Sequence, residues 1–440
     1  MYFPVLSTLT ALSLLSLTSA RSLARAPNSK VSVRDVVPSR PRSIPVVTDN
    51  VLELTKKSTG GSKIRSAAKF LKNLDIVNGS PSALISLFEG QEFATDITFG
   101  SQTFEVIVDT GSSDTWLAET GYSCVDLATG KSASEATCAF GPTYTKDSTF
   151  KAISGENFSI KYGDGEYLSG VLGSQPVTFA GINVTTTVAL VTSAAWNGDG
   201  TTSGLVGMAY PGITSAYKGS TQVVYNPIFT TMYKEGLVDS LFSLAIERDV
   251  SGPAGYLALG GVPPVDFVQD FASTPILVTS VTGYPKAYDF YTIKIDAAYL
   301  NGKAISGAAT PQYIVDSGTT LNYLPTAMAN AINNAFVPAA VYNSSQGSYV
   351  VSCTAVPPVF GIKIGGTVFY TNPLDMILYT GTDNGKDVCI SGINDGGSDT
   401  ANDLYILGDT FQKNVVTVFD IGAGVLQFAA RENYTSNDTY

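Results

Sequence analysis

Two triplets of the form Asp-Ser/Thr-Gly begin at Asp109 and Asp316, 207 residues apart, and no third copy occurs in the chain. The first lies in FEVIVDTGSSDTW, residues 104–116, and the second in QYIVDSGTTLNYL, residues 312–324. In both, Ile-Val precedes the aspartate and two hydroxyl residues follow the glycine. This pattern predicts a buried strand that ends in a tight turn and presents the carboxylate. Two carboxyls held close together cannot both ionise cheaply, so they share one proton over an acidic range. The ionised member of such a pair takes a proton from water, and the protonated member donates one to a carbonyl oxygen. Ser112 and Thr319 are placed to orient the carboxyls, and Gly111 and Gly318 let the two turns approach each other. The plainer reading is two loop-capping aspartates, which does not account for the shared context.

The elements that must carry the pair also repeat. SGLVGMAY at 203–210 puts Gly207 98 residues after Asp109, and YILGDTF at 405–411 puts Gly408 92 residues after Asp316. Each half therefore reads as a carboxylate turn followed, about ninety residues later, by a short apolar run and a glycine. Two similar lobes, each giving one carboxylate to a shared cleft, are expected. The rest of the chain agrees, being rich in Val, Ile, Thr, Tyr and Phe and cut every few residues by Gly, Asp, Asn or Ser, a pattern of strands and turns.

Composition excludes several other chemistries. The 440 residues contain no histidine, so a Ser-His-Asp triad, a Cys-His pair and the usual His-based zinc sites are ruled out. Acid–base work at low pH falls to carboxylates. Four dispersed cysteines do not make a thiolate metal site. Neither metal nor cofactor is expected.

Residues 8–18 are apolar with Ser and Thr interspersed, and Thr18-Ser19-Ala20 offers a small-residue cleavage site, so 1–20 reads as a secretory signal without the usual basic start. No later segment reads as a membrane span. In a secreted chain four cysteines form two disulfides, most simply Cys124–Cys138 and Cys353–Cys389. Sequons at Asn78, Asn157, Asn183, Asn343, Asn433 and Asn437 suit an extracellular, glycosylated surface.

Charge is divided unevenly. Residues 21–75 carry 12 Lys/Arg against 4 Asp/Glu, and residues 76–440 carry 14 against 33. An inhibitory segment lying across an acidic cleft and released by acid is one reading, and a basic leader with no inhibitory role is the other. The acidic body argues against a nucleic-acid partner.

VIVDTGSSDTW and YIVDSGTTLNYLP resemble the two catalytic motifs of the pepsin-like aspartic proteases, and the likeness runs over roughly residues 80–430. It implies an all-β, bilobal fold with a central cleft and a few short helices. Asp109 and Asp316 would then be catalytic, and Trp116 would pack beside the site. IKYGDGEYLSGVLG, residues 160–173, resembles the flap hairpin, with Tyr162 as its tyrosine and Gly163 and Asp164 at its tip. Thr320 would join the flap in holding substrate. NPIFTTMYKEGLVDSLFSLAI, residues 226–246, resembles the family's helix-then-strand segment and reads that way unaided, with Asn226 as N-cap and Pro227 in the first position.

The resemblance also implies an organisation. Residues 21–78 would be a prosegment acting as an intramolecular inhibitor, with Lys63, Lys69 or Lys72 meeting the carboxyl pair. Residues 79–265 would form the N-terminal lobe, 266–430 the C-terminal lobe and 431–440 a polar tail. Lys56-Lys57 and the region near Asn78 are both candidate maturation sites. A monomer acting on polypeptides is expected. Asp164 and then Glu166 depart toward an acidic flap tip, and Asp164 would favour a basic residue just before the scissile bond. Two rivals remain. An acid glycoside hydrolase also uses paired carboxylates, but it does not need duplicated turns, and two tryptophans are few for stacking sugars. A pepsin-like protein that binds peptides without cleaving them would not need every motif residue kept.

Overall fold

The structure, a computed structural model, describes residues 45–62, 89–162, 165–248, 254–279, 286–305, 311–344, 346–383, 385–397 and 404–431. The stretch 1–20 expected to be a signal, with Lys63, Lys69, Lys72, Gly163, Asp164, Asn78, Asn433 and Asn437, lies outside these residues. The described chain is mostly strands, with a few short helices such as Ile228–Lys234 and Thr326–Asn334.

Each triplet sits at the end of a strand in the same local arrangement. Gln102–Asp109 pairs in parallel with Gly204–Gly207, placing Asp109 opposite Gly207. Gly204–Gly207 pairs antiparallel with Thr115–Val125 on its other side, where Leu205 faces Trp116. In the second half Gln312–Val315 pairs in parallel with Leu404–Leu407, and Tyr323 of Asn322–Leu324 lies antiparallel to Ile406. The apolar-run-and-glycine repeats are therefore the parallel partners of the carboxylate strands. Their glycines make room for the turns, because a Cβ on Gly207 would lie 2.5 Å from the Ser113 carbonyl carbon and one on Gly408 2.2 Å from the Thr319 oxygen.

The first lobe is one large sheet from Thr55–Ser62 to Thr221–Val223, and the second contains a six-stranded and two four-stranded sheets. A further six-stranded sheet joins the lobes, in the order Val51–Glu53, Gly255–Leu259, Leu241–Ile246, Val415–Asp420, Val425–Ala430 and Ala272–Pro275. Within it Phe242 stacks on its cross-strand partner Phe419 at 4.5 Å, with Tyr291 packed edge-on to both. The Tyr291 hydroxyl donates to the Met208 carbonyl at 2.6 Å, tying the second lobe to the turn beside Asp109. Buried Arg248 donates to both Asp375 oxygens and to Asn414 Oδ1, so its charge is paired.

Part of the basic N-terminal stretch is woven into this body. Val51–Glu53 edges the joining sheet, and Thr55–Ser62 pairs with Glu89–Phe99. Leu54 is fully buried in the main core, a contribution of about 2 kcal/mol. Lys56 and Lys57 are half-buried within the second of these strands, and Lys57 Nζ lies 2.5 Å from Glu105. The Ile228–Lys234 helix begins one residue later than its sequence suggests. Pro227 is the N-cap because its carbonyl accepts the first helical bond, from Thr231, whereas the Asn226 side chain accepts from Lys234 instead of capping.

Candidate active site

The two turns meet face to face. Gly111 N–H donates to Asp109 Oδ1 at 2.7 Å, and Ser112 Oγ donates to Asp109 Oδ2 at 2.5 Å. Gly318 N–H donates to Asp316 Oδ1 at 2.9 Å, and Thr319 Oγ1 donates to Asp316 Oδ2 at 2.6 Å. Each carboxyl is therefore held in its plane by one backbone and one hydroxyl donor from its own turn. Both are buried, at 4% and 0% exposure. A Cβ on Gly111 would lie 2.5 Å from Asp316 Oδ1, and one on Gly318 would lie 2.5 Å from Asp109 Oδ1. Only glycine permits this approach.

The middle residues of the triplets, Thr110 and Ser317, are site residues that the sequence reading passed over. Thr110 Oγ1 donates to the Val315 carbonyl and accepts from Ser317 N–H, at 3.1 and 2.9 Å. Ser317 Oγ donates to the Val108 carbonyl and accepts from Thr110 N–H, at 3.0 and 3.2 Å. These four bonds cross the interface symmetrically and fix one aspartate relative to the other. A hydroxyl in the same place in both triplets was the available signal.

Beside this centre, Trp116 Nε1 donates to the Tyr162 hydroxyl at 2.8 Å. Trp196 packs edge-on to both rings and stacks on Phe140 at 5.6 Å. Thr320 is buried, and its carbonyl accepts from Thr410 N–H at 3.0 Å.

Comparison with known proteins gives the family. A model of the eukaryotic aspartyl protease family matches residues 92–431. The chain belongs to that family. It is 49% identical over 398 residues to a probable aspartic-type endopeptidase of Aspergillus fumigatus, covering 89% of this chain and 90% of the relative. It is 27% identical to penicillopepsin-1 of Talaromyces stipitatus, over 96% and 98% of the two chains. With cathepsin D of Chionodraco hamatus it shares 30% identity, over 80% and 83%. The all-β bilobal fold and the aspartic-type endopeptidase class follow.

In the protease, burial favours the protonated form of three carboxyls, Asp316, Asp409 and Asp114. Burial first, and the Asp109 charge second, push Asp316 well above the usual carboxylate range. Asp409, buried beneath the Asp316 turn, is also pushed well up by burial, although Lys413 opposes this. Asp114 is raised to about 6 by burial, against the pull of the Ser215 N–H and the Tyr225 hydroxyl. A raised carboxyl gives stability that is fully present below its unfolded pKa and lost as pH rises through its folded value. For Asp114 the window runs from 3.8 to about 6. The loss is on the order of 3 kcal/mol. Asp114→Asn keeps an acceptor oxygen and removes the charge. Denaturant unfolding at pH 4 and 6.5 should show a smaller stability loss in the variant, and parallel losses would contradict this assignment.

Both expected disulfides of the protease are present, Cys124–Cys138 and Cys353–Cys389. Asn157 and Asn183 are exposed on strands, and Asn343 is half-buried. Among the described residues no group of three His, Cys, Asp or Glu is disposed to hold a metal ion.

Proposed function

We propose that this endopeptidase is secreted as a zymogen and hydrolyses peptide bonds at acidic pH through a water activated by Asp109 and Asp316. The observation that carries the reading is the facing carboxyl pair with four matched donors. The ionised carboxyl takes a proton from the water, whose oxygen bonds to the peptide carbonyl carbon. The protonated carboxyl gives its proton to the carbonyl oxygen, so no free oxyanion forms. Collapse of the tetrahedral species breaks the C–N bond. The departing nitrogen takes the proton first captured from water, and the pair recovers one proton from the hydroxyl.

Polypeptide substrate would lie extended beneath the hairpin of Tyr162, with large apolar side chains preferred on either side of the scissile bond. An acidic Asp164 would additionally admit a basic residue there, and comparable cleavage of Lys- and Leu-containing peptides would remove that refinement. Acid activity is supported by the three buried carboxyls held protonated above their usual range. Zymogen control is supported by the N-terminal strands, where Glu105 accepts both Lys57 Nζ and Thr55 Oγ1. Lys56-Lys57 is paired within a sheet, so maturation is expected beyond residue 62, in line with the candidate region near Asn78.

The test is acidification of the full-length secreted chain with a denatured protein present. Release of a prosegment-sized fragment, followed by proteolysis confined to acid, is the expected result. A folded, processed chain that cleaves nothing between about pH 2 and 7 would leave the non-cleaving peptide binder standing.

A further inference from the structure

Glu166 is an unexpected residue in its setting. It is a carboxylic acid at the turn end of the hairpin that carries Tyr162, next to the Lys161–Tyr167 pair, yet it is only 1% exposed. Burying a carboxylate is costly unless it is hydrogen-bonded. Its Oε1 accepts the backbone N–H of Asn197 at 2.9 Å, and its own carbonyl accepts the Tyr162 N–H at 2.8 Å. One residue therefore closes the turn end of the hairpin and fastens it to the segment carrying Trp196.

That segment is itself anchored. Gly198 N–H donates to the Cys138 carbonyl at 2.7 Å, and Gly200 N–H donates to the Ala139 carbonyl at 2.8 Å. Cys138 is bonded to Cys124, so the fastening point is covalently stapled to the lobe. A Cβ on Gly198 would lie 1.7 Å from the Ala139 oxygen, which shows how closely the two loops run. Above the Glu166 contact, Trp196 packs on Tyr162 and on Trp116, which holds the Tyr162 hydroxyl. Tyr162 is thus fixed at its hydroxyl by Trp116 and at its backbone through Glu166.

We propose that Glu166 is a positioning residue: by accepting the Asn197 N–H it fixes the turn end of the hairpin and so sets where Tyr162 stands over the substrate. The role needs an acceptor oxygen, not a negative charge. The inference rests on the peptidase reading above, so its test has one readout that needs activity and one that does not.

The first readout is steady-state cleavage of one apolar peptide by the matured enzyme, with active sites titrated. Glu166→Ala is expected to raise KM about tenfold with kcat changed less than about twofold, the value of one hydrogen bond. Glu166→Gln, which retains the acceptor, should recover most of that loss. A purely structural role would instead lower the active fraction and leave KM unchanged. The second readout is tryptophan emission, because Trp116 and Trp196 are the only tryptophans in the chain and both touch Tyr162. Glu166→Ala should shift emission to the red at unchanged far-UV circular dichroism, and Glu166→Gln should not. Wild-type KM and emission in Glu166→Ala would overturn the proposal. So would failure of Glu166→Gln to rescue, which would make the charge the working feature. If the wild type cleaves nothing, the peptidase reading fails and the emission result alone decides the role of Glu166.

Discussion

Asp109→Asn and Asp316→Asn each lower kcat on a denatured protein by at least about a thousandfold, the scale of losing a general acid–base group. Asparagine has the shape of aspartate and keeps an oxygen for the Gly111 or Gly318 N–H, so both turns stay closed. It cannot take a proton from water or hold the shared proton. The loss is chemical, and stability measures the difference. Asp316 is raised by burial and by Asp109, so its ionisation opposes folding as pH rises. Asp316→Asn is therefore expected to be inactive and yet more stable than the parent near neutral pH. Activity within tenfold of the parent in either variant would remove that aspartate from the chemistry. A fall in stability matching the fall in activity would make its role structural.

Gly111→Ala and Gly318→Ala should be nearly as damaging, although neither removes a reacting group. Each added methyl would start 2.5 Å from an oxygen of the opposite carboxyl, well inside the closest approach of real Cβ atoms. The clash cannot be relieved locally. The carboxyls are fixed by donors from their own turns, and the turns are fixed by the Thr110 and Ser317 cross-bonds. The pair must separate by a sizeable fraction of an ångström. A displacement of about 1 Å at a reacting centre costs on the order of a hundredfold in rate. Overpacking should also cost about 1–3 kcal/mol of stability. The check is kcat with active-site titration, beside denaturant unfolding. Near-normal kcat in both variants would mean that the carboxyls need not face each other this closely.

The site was legible in the sequence to the extent that its chemistry repeats. Asp109 and Asp316, their glycines and their hydroxyls occur twice because each lobe solves the same problem with the same turn. Gly207 and Gly408 were legible for the same reason, and the structure supplies the cause in the carbonyls that crowd them. Thr110 and Ser317 went unremarked because their partners are backbone atoms of the other lobe, more than 200 residues away. No local pattern announces such a partner. Glu166 was read only as part of an acidic hairpin tip. Its burial depends on Asn197, which folds back from a distant loop. The N-terminal stretch shows the opposite weakness. Its positive charge drew attention away from Val51-Leu52-Glu53-Leu54, whose apolar residues pack into the joining sheet and the core. Charge described what the stretch repels or attracts, and apolar placement decided where it sits.

The most direct test of the central claim is the pH dependence of kcat/KM for the matured enzyme on a single peptide, from about pH 2 to 7, because two coupled carboxyls sharing one proton give a profile with both limbs in acid. A bell with an acidic maximum and near-zero activity at neutrality is expected, and no histidine exists to produce it otherwise. A maximum near neutral pH, or a rate indifferent to pH across the range, would contradict it.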